Sequence, residues 1–278
     1  PLPPNENTYY FLNRTSFTHT FLCNSLCLIY YGFVLTTRRN LSFWLKKNLR
    51  KYKINKKKRM EKTMTLQKVL SRVRQAVEDY HMIEEGDRIA VGISGGKDSL
   101  TLLLALNELR KFYPQKFSIY AVTVDLGFQN LDLNEIRALC ASHEIPYTVV
   151  ETSIAKIVFE DRRENNPCSL CAKMRKGALN DAIKDLGCNK IAYAHHEDDV
   201  VETMMLSLFY EGRLHTFSPV THLDKTGLTV IRPLIYMREA EVIGFVNKYQ
   251  VPVVKSPCPA DGHTKRESVS YTHLTLPT

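Results

Sequence analysis

The stretch Ser94-Gly95-Gly96-Lys97-Asp98-Ser99 constrains the fold of this chain more than any other segment. It follows an apolar, β-branched run, Ile89-Ala90-Val91-Gly92-Ile93, and opens an apolar helical pattern from Leu100 to Leu109. A strand, a tight glycine turn and a helix start therefore lie in series. That geometry gathers free backbone N–H groups and the positive end of a helix dipole at one point, which suits a phosphate. Gly95 and Gly96 remove side chains where the backbone must approach an anion, and Lys97 adds a point charge. Asp98 repels phosphate, and it makes sense where a divalent metal lies between carboxylate and phosphate oxygens.

Three readings compete for this loop. A Walker A loop requires G-x-x-x-x-G-K-[ST], and here Asp98 follows the lysine while only three residues separate Gly92 from Gly96. A nucleophile elbow, G-x-S-x-G, fits Gly92-Ile93-Ser94-Gly95-Gly96 in the right context, but it leaves Lys97 and Asp98 unexplained. The third reading is a plain structural turn.

Two further constellations bear on the choice. Seven cysteines stand at 23, 27, 140, 168, 171, 188 and 258, an odd and scattered set that does not read as a disulfide framework. Cys168-Ser169-Leu170-Cys171 is C-x-x-C, a spacing that serves one metal centre or a redox pair. A four-cysteine zinc site needs a second pair, and only Cys258 follows. Three thiolates leave one position open, which suits an iron–sulfur cluster with a free iron. The alternative is an ordinary loop cysteine at 258 and an incidental or redox-active pair. Cys140 and Cys188 lie in apolar helical surroundings and read as core. Downstream, a buried strand pattern over 190–194 runs into His195-His196-Glu197-Asp198-Asp199 and a helix over 200–210. In open parallel sheets ligands bind beyond the carboxyl ends of strands, so this polar cluster points to the same edge as Ser94. Glu197 and Glu202 read as charges of a helix N-terminal turn. Asp199 reads as a second acidic group near the phosphate loop.

S-G-G-K-D-S resembles the pyrophosphate-loop (PP-loop) ATPases. Taken in order with P-C-S-L-C, A-H-H-E-D-D-V-V-E-T, Ile231-Arg232-Pro233-Leu234 and a lone late cysteine, it resembles the tRNA 2-thiocytidine synthetase family of those ATPases, from about Leu66 to about Val269. The resemblance implies an α/β fold, an open parallel sheet of the Rossmann-like, adenine nucleotide alpha hydrolase-like kind. It implies an ATP-dependent sulfurtransferase that adenylates a cytidine of the tRNA anticodon loop and uses magnesium and a 4Fe–4S cluster. Carried over by motif, Gly92, Ile93, Ser94, Gly95, Gly96, Lys97, Asp98 and Ser99 would hold ATP, with Val124 and Ala194 beside it. Asp98 and Asp199 would sit near the magnesium; Cys168, Cys171 and Cys258 would ligate the cluster; Arg175 would lie between cluster and nucleotide. The implied partners are tRNA, a sulfur donor such as a cysteine desulfurase and a second copy in a homodimer, in the cytoplasm. Other readings stay open: a thiouridine-forming branch, a cluster-free route with Cys168 or Cys171 carrying a persulfide, and a serine hydrolase using Ser94 with His215, His222 or His263.

Charge does not point to RNA. The net charge is +9, but residues 1–63 hold 13 Lys and Arg against 2 Asp and Glu, which leaves 25 against 27 for the remainder. A tRNA surface must then be a local patch, such as Arg162, Arg163, Lys173, Arg175 and Lys176. Residues 1–59 read as a basic extension, disordered or foreign to the natural protein, because the first methionine is Met60 and Met64 follows closely. Phe17 to Leu35 is mostly apolar and precedes a basic run, but Thr18, His19, Thr20, Asn24 and Ser25 argue against a membrane anchor. Residues 60–267 form the expected PP-loop domain, and 268–278 read as an atypical tail left by truncation or assembly. Strands are expected over 88–93, 117–124, 147–151, 190–194 and 228–231, with helices near 100–112, 131–144, 172–186, 200–210 and 238–249. A short edge strand is expected at Val251–Val254, and 153–171 reads as a loop carrying the cysteine pair.

Overall fold

Runs of apolar and β-branched residues build the centre of the protein. In the computed structural model, residues 64–128, 131–162, 167–255 and 257–259 are described. They form β1 (Arg88–Gly92), β2 (Ser118–Asp125), β3 (Tyr147–Glu151), β4 (Lys190–Ala192), β5 (Val220–Leu223) and β6 (Leu228–Ile231). The helices are α1 (Leu66–Asp79), α2 (Lys97–Leu109), α3 (Asn134–Ser142), α4 (Pro167–Asp185), α5 (Glu197–Glu211) and α6 (Glu239–Tyr249), with a π-helical turn at Lys156–Asp161. The sheet order is β3-β2-β1-β4-β6-β5. All pairs are parallel except β5 with β6. Parallel strands need both faces covered. Ile89, Val91, Ile119, Ala121, Ala192 and Ile231 face the larger core, shared with α1, α2 and α6. Their alternates Ala90, Val122, Ile191 and Val230 pack with Leu179 and Ile183 of α4 on the other face.

Three local expectations are corrected. First, β5 is an additional strand: it pairs with β6 across a turn whose Gly227 has φ +69° and donates to Leu223 O at 2.8 Å. Second, Cys168 and Cys171 do not sit in a loop. Helix α4 starts at Pro167, because proline at a first helical position lacks only an N–H that would be orphaned there. Third, Val251–Val254 forms no strand. It lies against the glycine turn instead, with Val254 N donating to Gly95 O at 2.9 Å. No helix among the described residues is long and apolar enough to cross a membrane. The expected extension 1–59, the tail 268–278, Phe17–Leu35, Arg163, Cys23, Cys27 and His263 lie outside the described residues.

Candidate active site

The switch point of the sheet lies between β1 and β4, where connections leave in opposite directions, and ligands collect beyond the strand ends there. Ile93 N donates to Val122 O at 2.8 Å, which carries the chain straight out of β1. Gly95 then turns with φ +83°. A Cβ at that position would stand 3.1 Å from the Val254 side chain, so glycine is required both by conformation and by space. Ser99 braces the turn from inside the first turn of α2. Its Oγ donates to Gly96 O at 3.0 Å and accepts from Ser94 N at 3.3 Å. Ser94 Oγ contacts Ser99 Oγ at 3.2 Å and accepts from Gly96 N at 3.3 Å. No imidazole among the described residues engages Ser94, so none of them serves the elbow reading as a general base; His263 lies outside them. The two serine hydroxyls brace the loop from within.

Two side chains at the start of α2 carry the charge. Lys97 Nζ lies 3.2 Å from Asp98 Oδ2 and 3.2 Å from Glu239 Oε1 at the start of α6. Burial lowers the Lys97 pKa, but Asp98 and Glu239 outweigh it and hold the ammonium above its ordinary value. Asp98 Oδ1 is buried and accepts no hydrogen bond, with His196 Nε2 3.7 Å away. His196 is 6 % exposed and its Nδ1 lies 3.4 Å from Asp199 Oδ2. Asp199 also caps α5 by accepting from His196 N at 2.9 Å. Asp198 Oδ2 accepts from Glu239 N at 2.7 Å and so ties α5 to α6. The two expected acids therefore meet across His196, a connection that the sequence reading missed along with Glu239. The N-cap position of His196 was the available signal. Val124 lies one residue before the end of β2 and Ala194 two residues past β4, both partly buried against the core.

Two of the cysteines lie on α4, the helix that packs on the opposite face of the sheet, and Cys258 follows the Val254 segment that lies against the glycine turn. Cys168 and Cys171 are one turn apart on α4, the first exposed and the second half-buried. Burial raises the Cys171 thiol pKa, Arg175 opposes that shift, and the Cys258 and Cys168 thiols add to it. Cys168 and Cys258 thus both lie within electrostatic reach of Cys171. Among the described residues no three His, Cys, Asp or Glu side chains converge closely enough to hold a single metal ion. A cluster asks less, since its thiolates bind separate irons. A carboxylate-free set of three thiols fits it, and an orphaned buried carboxylate oxygen on Asp98 fits a cation near phosphate.

Tyr193, just past β4, stands beside the last residue of β1. Its ring would lie 3.7 Å from a Cβ on Gly92. Burial raises its pKa, while Arg232 and Arg175 pull it down, so it stands within reach of both guanidinium groups. Arg175 is exposed beside Cys171 and makes no ion pair among the described residues, as are Lys173 and Lys176.

Comparison with known proteins identifies the family and the fold. A family model for a PP-loop domain matches residues 65–270. The chain is 44% identical over 193 residues to a tRNA-cytidine(32) 2-sulfurtransferase of Pelobacter propionicus, covering 69% of this chain and 72% of that protein. The Geobacter metallireducens protein of the same name is 42% identical, covering 70% and 76%. The chain belongs to the tRNA-cytidine(32) 2-sulfurtransferase family of PP-loop enzymes. Among solved structures, the U34-tRNA thiolase NcsA of Methanococcus maripaludis with its [4Fe-4S] cluster superposes with a TM-score of 0.61 at 27% identity, covering 74% of this chain and 70% of that one. The α/β, PP-loop fold expected from the sequence is the fold observed.

Proposed function

We propose that this protein is an ATP-dependent sulfurtransferase that converts a cytidine of a tRNA anticodon loop to 2-thiocytidine. What supports the reading is that Tyr193 lies beside Gly92, where β1 leads into the glycine turn, and within electrostatic reach of Arg175, which neighbours Cys171. The tRNA-modifying relatives supply the substrate class.

Replacing a carbonyl oxygen by sulfur needs a better leaving group than hydroxide. Attack of the cytidine O2 on the α-phosphorus of ATP forms an O–P bond and breaks the bond to the β-phosphate, releasing pyrophosphate. A sulfide equivalent then adds at C2 and expels AMP with the former carbonyl oxygen. The backbone N–H groups of Gly95 and Lys97, which neither serine hydroxyl engages, bind the phosphates, and the α2 dipole points at them. On phosphate arrival Lys97 exchanges Glu239 for a phosphate oxygen and offsets the charge that grows on departing pyrophosphate. Magnesium at Asp98, with Asp199 nearby, would supply further neutralisation of phosphate charge. A 4Fe–4S cluster held by Cys168, Cys171 and Cys258 would supply sulfide binding next to the nucleotide. Arg175 favours the Cys171 thiolate over the thiol and so favours ligation. Lys173, Arg175 and Lys176 offer an exposed basic stripe for RNA phosphates beside those thiols.

Anaerobic reconstitution of the full chain with iron and sulfide tests the reading. About four irons per chain and a broad visible absorbance band are expected, both lost in Cys258→Ala. A folded, ATP-binding protein that takes up no iron contradicts it and favours a persulfide route.

A further inference from the structure

The I-R-P-L motif and the first histidine of H-H-E-D-D have no part in the chemistry above, yet the fold brings them together. Arg232 follows β6 directly and is 9 % exposed. Its Nε donates to His195 Nδ1 at 3.2 Å, and its Nη1 donates to Thr221 Oγ1 at 3.2 Å and to Ser218 O. All three acceptors are neutral, and no carboxylate among the described residues pairs with this guanidinium. Burial lowers its pKa accordingly, against the opposing pull of Tyr193. A nearly buried cation without a counter-charge is costly in a stable core. Its Nη2 donates to none of the described residues.

Rings surround that charge. The guanidinium lies 4.8 Å above the Phe217 ring. His195 packs on Phe217 at 4.8 Å with an interplanar angle of 35°, and Tyr193 meets His195 edge-on at 5.8 Å. Tyr193, His195 and Phe217 are each only half-buried, unlike the aromatic Phe245 of the core. A guanidinium can only donate, so His195 Nδ1 is an acceptor and the ring is the neutral tautomer with hydrogen on Nε2. Neutral imidazole, phenyl and phenol faces stack on planar heterocycles, and a desolvated donor beside them suits a carbonyl oxygen. The cluster lies beyond the carboxyl ends of β4 and β6. Of the two residues expected beside ATP, Val124 lies on the other side of β1, near the end of β2, and Ala194 lies between Tyr193 and His195, so the nucleotide and this cluster adjoin.

We infer that Tyr193, His195, Phe217 and Arg232 form the subsite that receives the target pyrimidine, extruded from the RNA loop and stacked, with its carbonyl edge toward Arg232. The inference rests on the tRNA-thiolation reading and gives that reading a place for its acceptor. The ring stack fixes the plane of the base and Arg232 polarises its oxygen. Tyr193 sets the subsite beside Gly92, where β1 enters the phosphate turn, and within electrostatic reach of Arg175.

The test uses the full chain and an anticodon stem-loop RNA carrying the fluorescent cytidine analogue pyrrolocytidine at the target position, with a second RNA labelled at a neighbouring loop position. Binding is followed by anisotropy of an end label, and base environment by the analogue's intensity. Extrusion and stacking predict a clear intensity change at the target position and a smaller one at its neighbour. In Phe217→Leu, which keeps apolar bulk, the target-position change should be lost, overall affinity should fall by no more than on the order of tenfold, the scale of one stacked base, and ATP binding should persist. A bound RNA whose target analogue is unchanged overturns the subsite and leaves the thiolation reading standing. A signal that survives in Phe217→Leu also overturns it, by placing the base elsewhere. Failure of the stem-loop to bind overturns the tRNA reading and the subsite with it.

Discussion

The two ends of the central strands β1 and β4 carry buried charged clusters of opposite character. At the amino end, Asp87 accepts from Lys190 Nζ at 2.8 Å, Asn189 Nδ2 at 2.7 Å and Glu84 N at 2.7 Å. Lys190 also donates to Met82 O at 3.2 Å. Both carboxylate oxygens are occupied and the cation is paired. At the carboxyl end, Asp98 Oδ1 and His196 Nδ1 are buried without a hydrogen bond, Lys97 is held by two carboxylates, and Arg232 has no counter-charge among the described residues. A satisfied polar cluster ties the fold together. An incompletely satisfied one marks where ligand atoms are needed to complete it.

The comparison breaks most sharply under substitution of one partner at each end. Lys190→Met leaves Asp87 buried and unpaired, and should cost about 3–5 kcal/mol of stability in denaturant titration. The turnover of the protein that remains folded should be unchanged. Lys97→Ala should do the reverse. Single-turnover thiolation should fall by about 10²–10³-fold, with the unfolding midpoint close to that of the parent. A large loss of stability in Lys97→Ala, or of turnover in Lys190→Met, would erase the distinction between the two ends.

Asp98→Asn refines it. The amide keeps the shape, removes the charge facing His196 and should leave the melting temperature equal or higher, while magnesium dependence of ATP binding weakens. Unchanged magnesium dependence would remove Asp98 from the metal site. The smallest effect concerns the thiols. Burial pushes the Cys140 pKa up to about 11 and raises that of Cys188. Both should resist maleimide at pH 8 in the native apoprotein, whereas exposed Cys168 should react readily. Labelling of Cys140 at the rate of Cys168 would place it outside the core.

Much of this was legible in the chain because parallel strands buried on both faces leave continuous apolar runs. The runs at 89–93 and 190–194 expose β1 and β4, and the glycines between β1 and α2 announce the turn. Strand β5 left little trace, since Val220-Thr221-His222-Leu223 is a half-exposed edge and its pairing is settled by the hairpin turn at Gly227. Proline at 167 read as a loop residue although it begins a helix. The meeting of Asp98, His196 and Asp199, and of Arg232 with His195, was not legible. Those contacts depend on how the ends of α2 and α5, and of β4 and β6, are placed side by side by the sheet order.

The central claim is that this protein puts sulfur on a tRNA cytidine. The direct measurement incubates the anaerobically reconstituted full chain with unmodified tRNA, ATP, magnesium and sulfide, then identifies nucleosides by mass spectrometry after digestion. The account predicts 2-thiocytidine, absent without ATP and absent with Lys97→Ala. Thiouridine as the product, or no thionucleoside from a cluster-loaded, tRNA-binding enzyme, would contradict it.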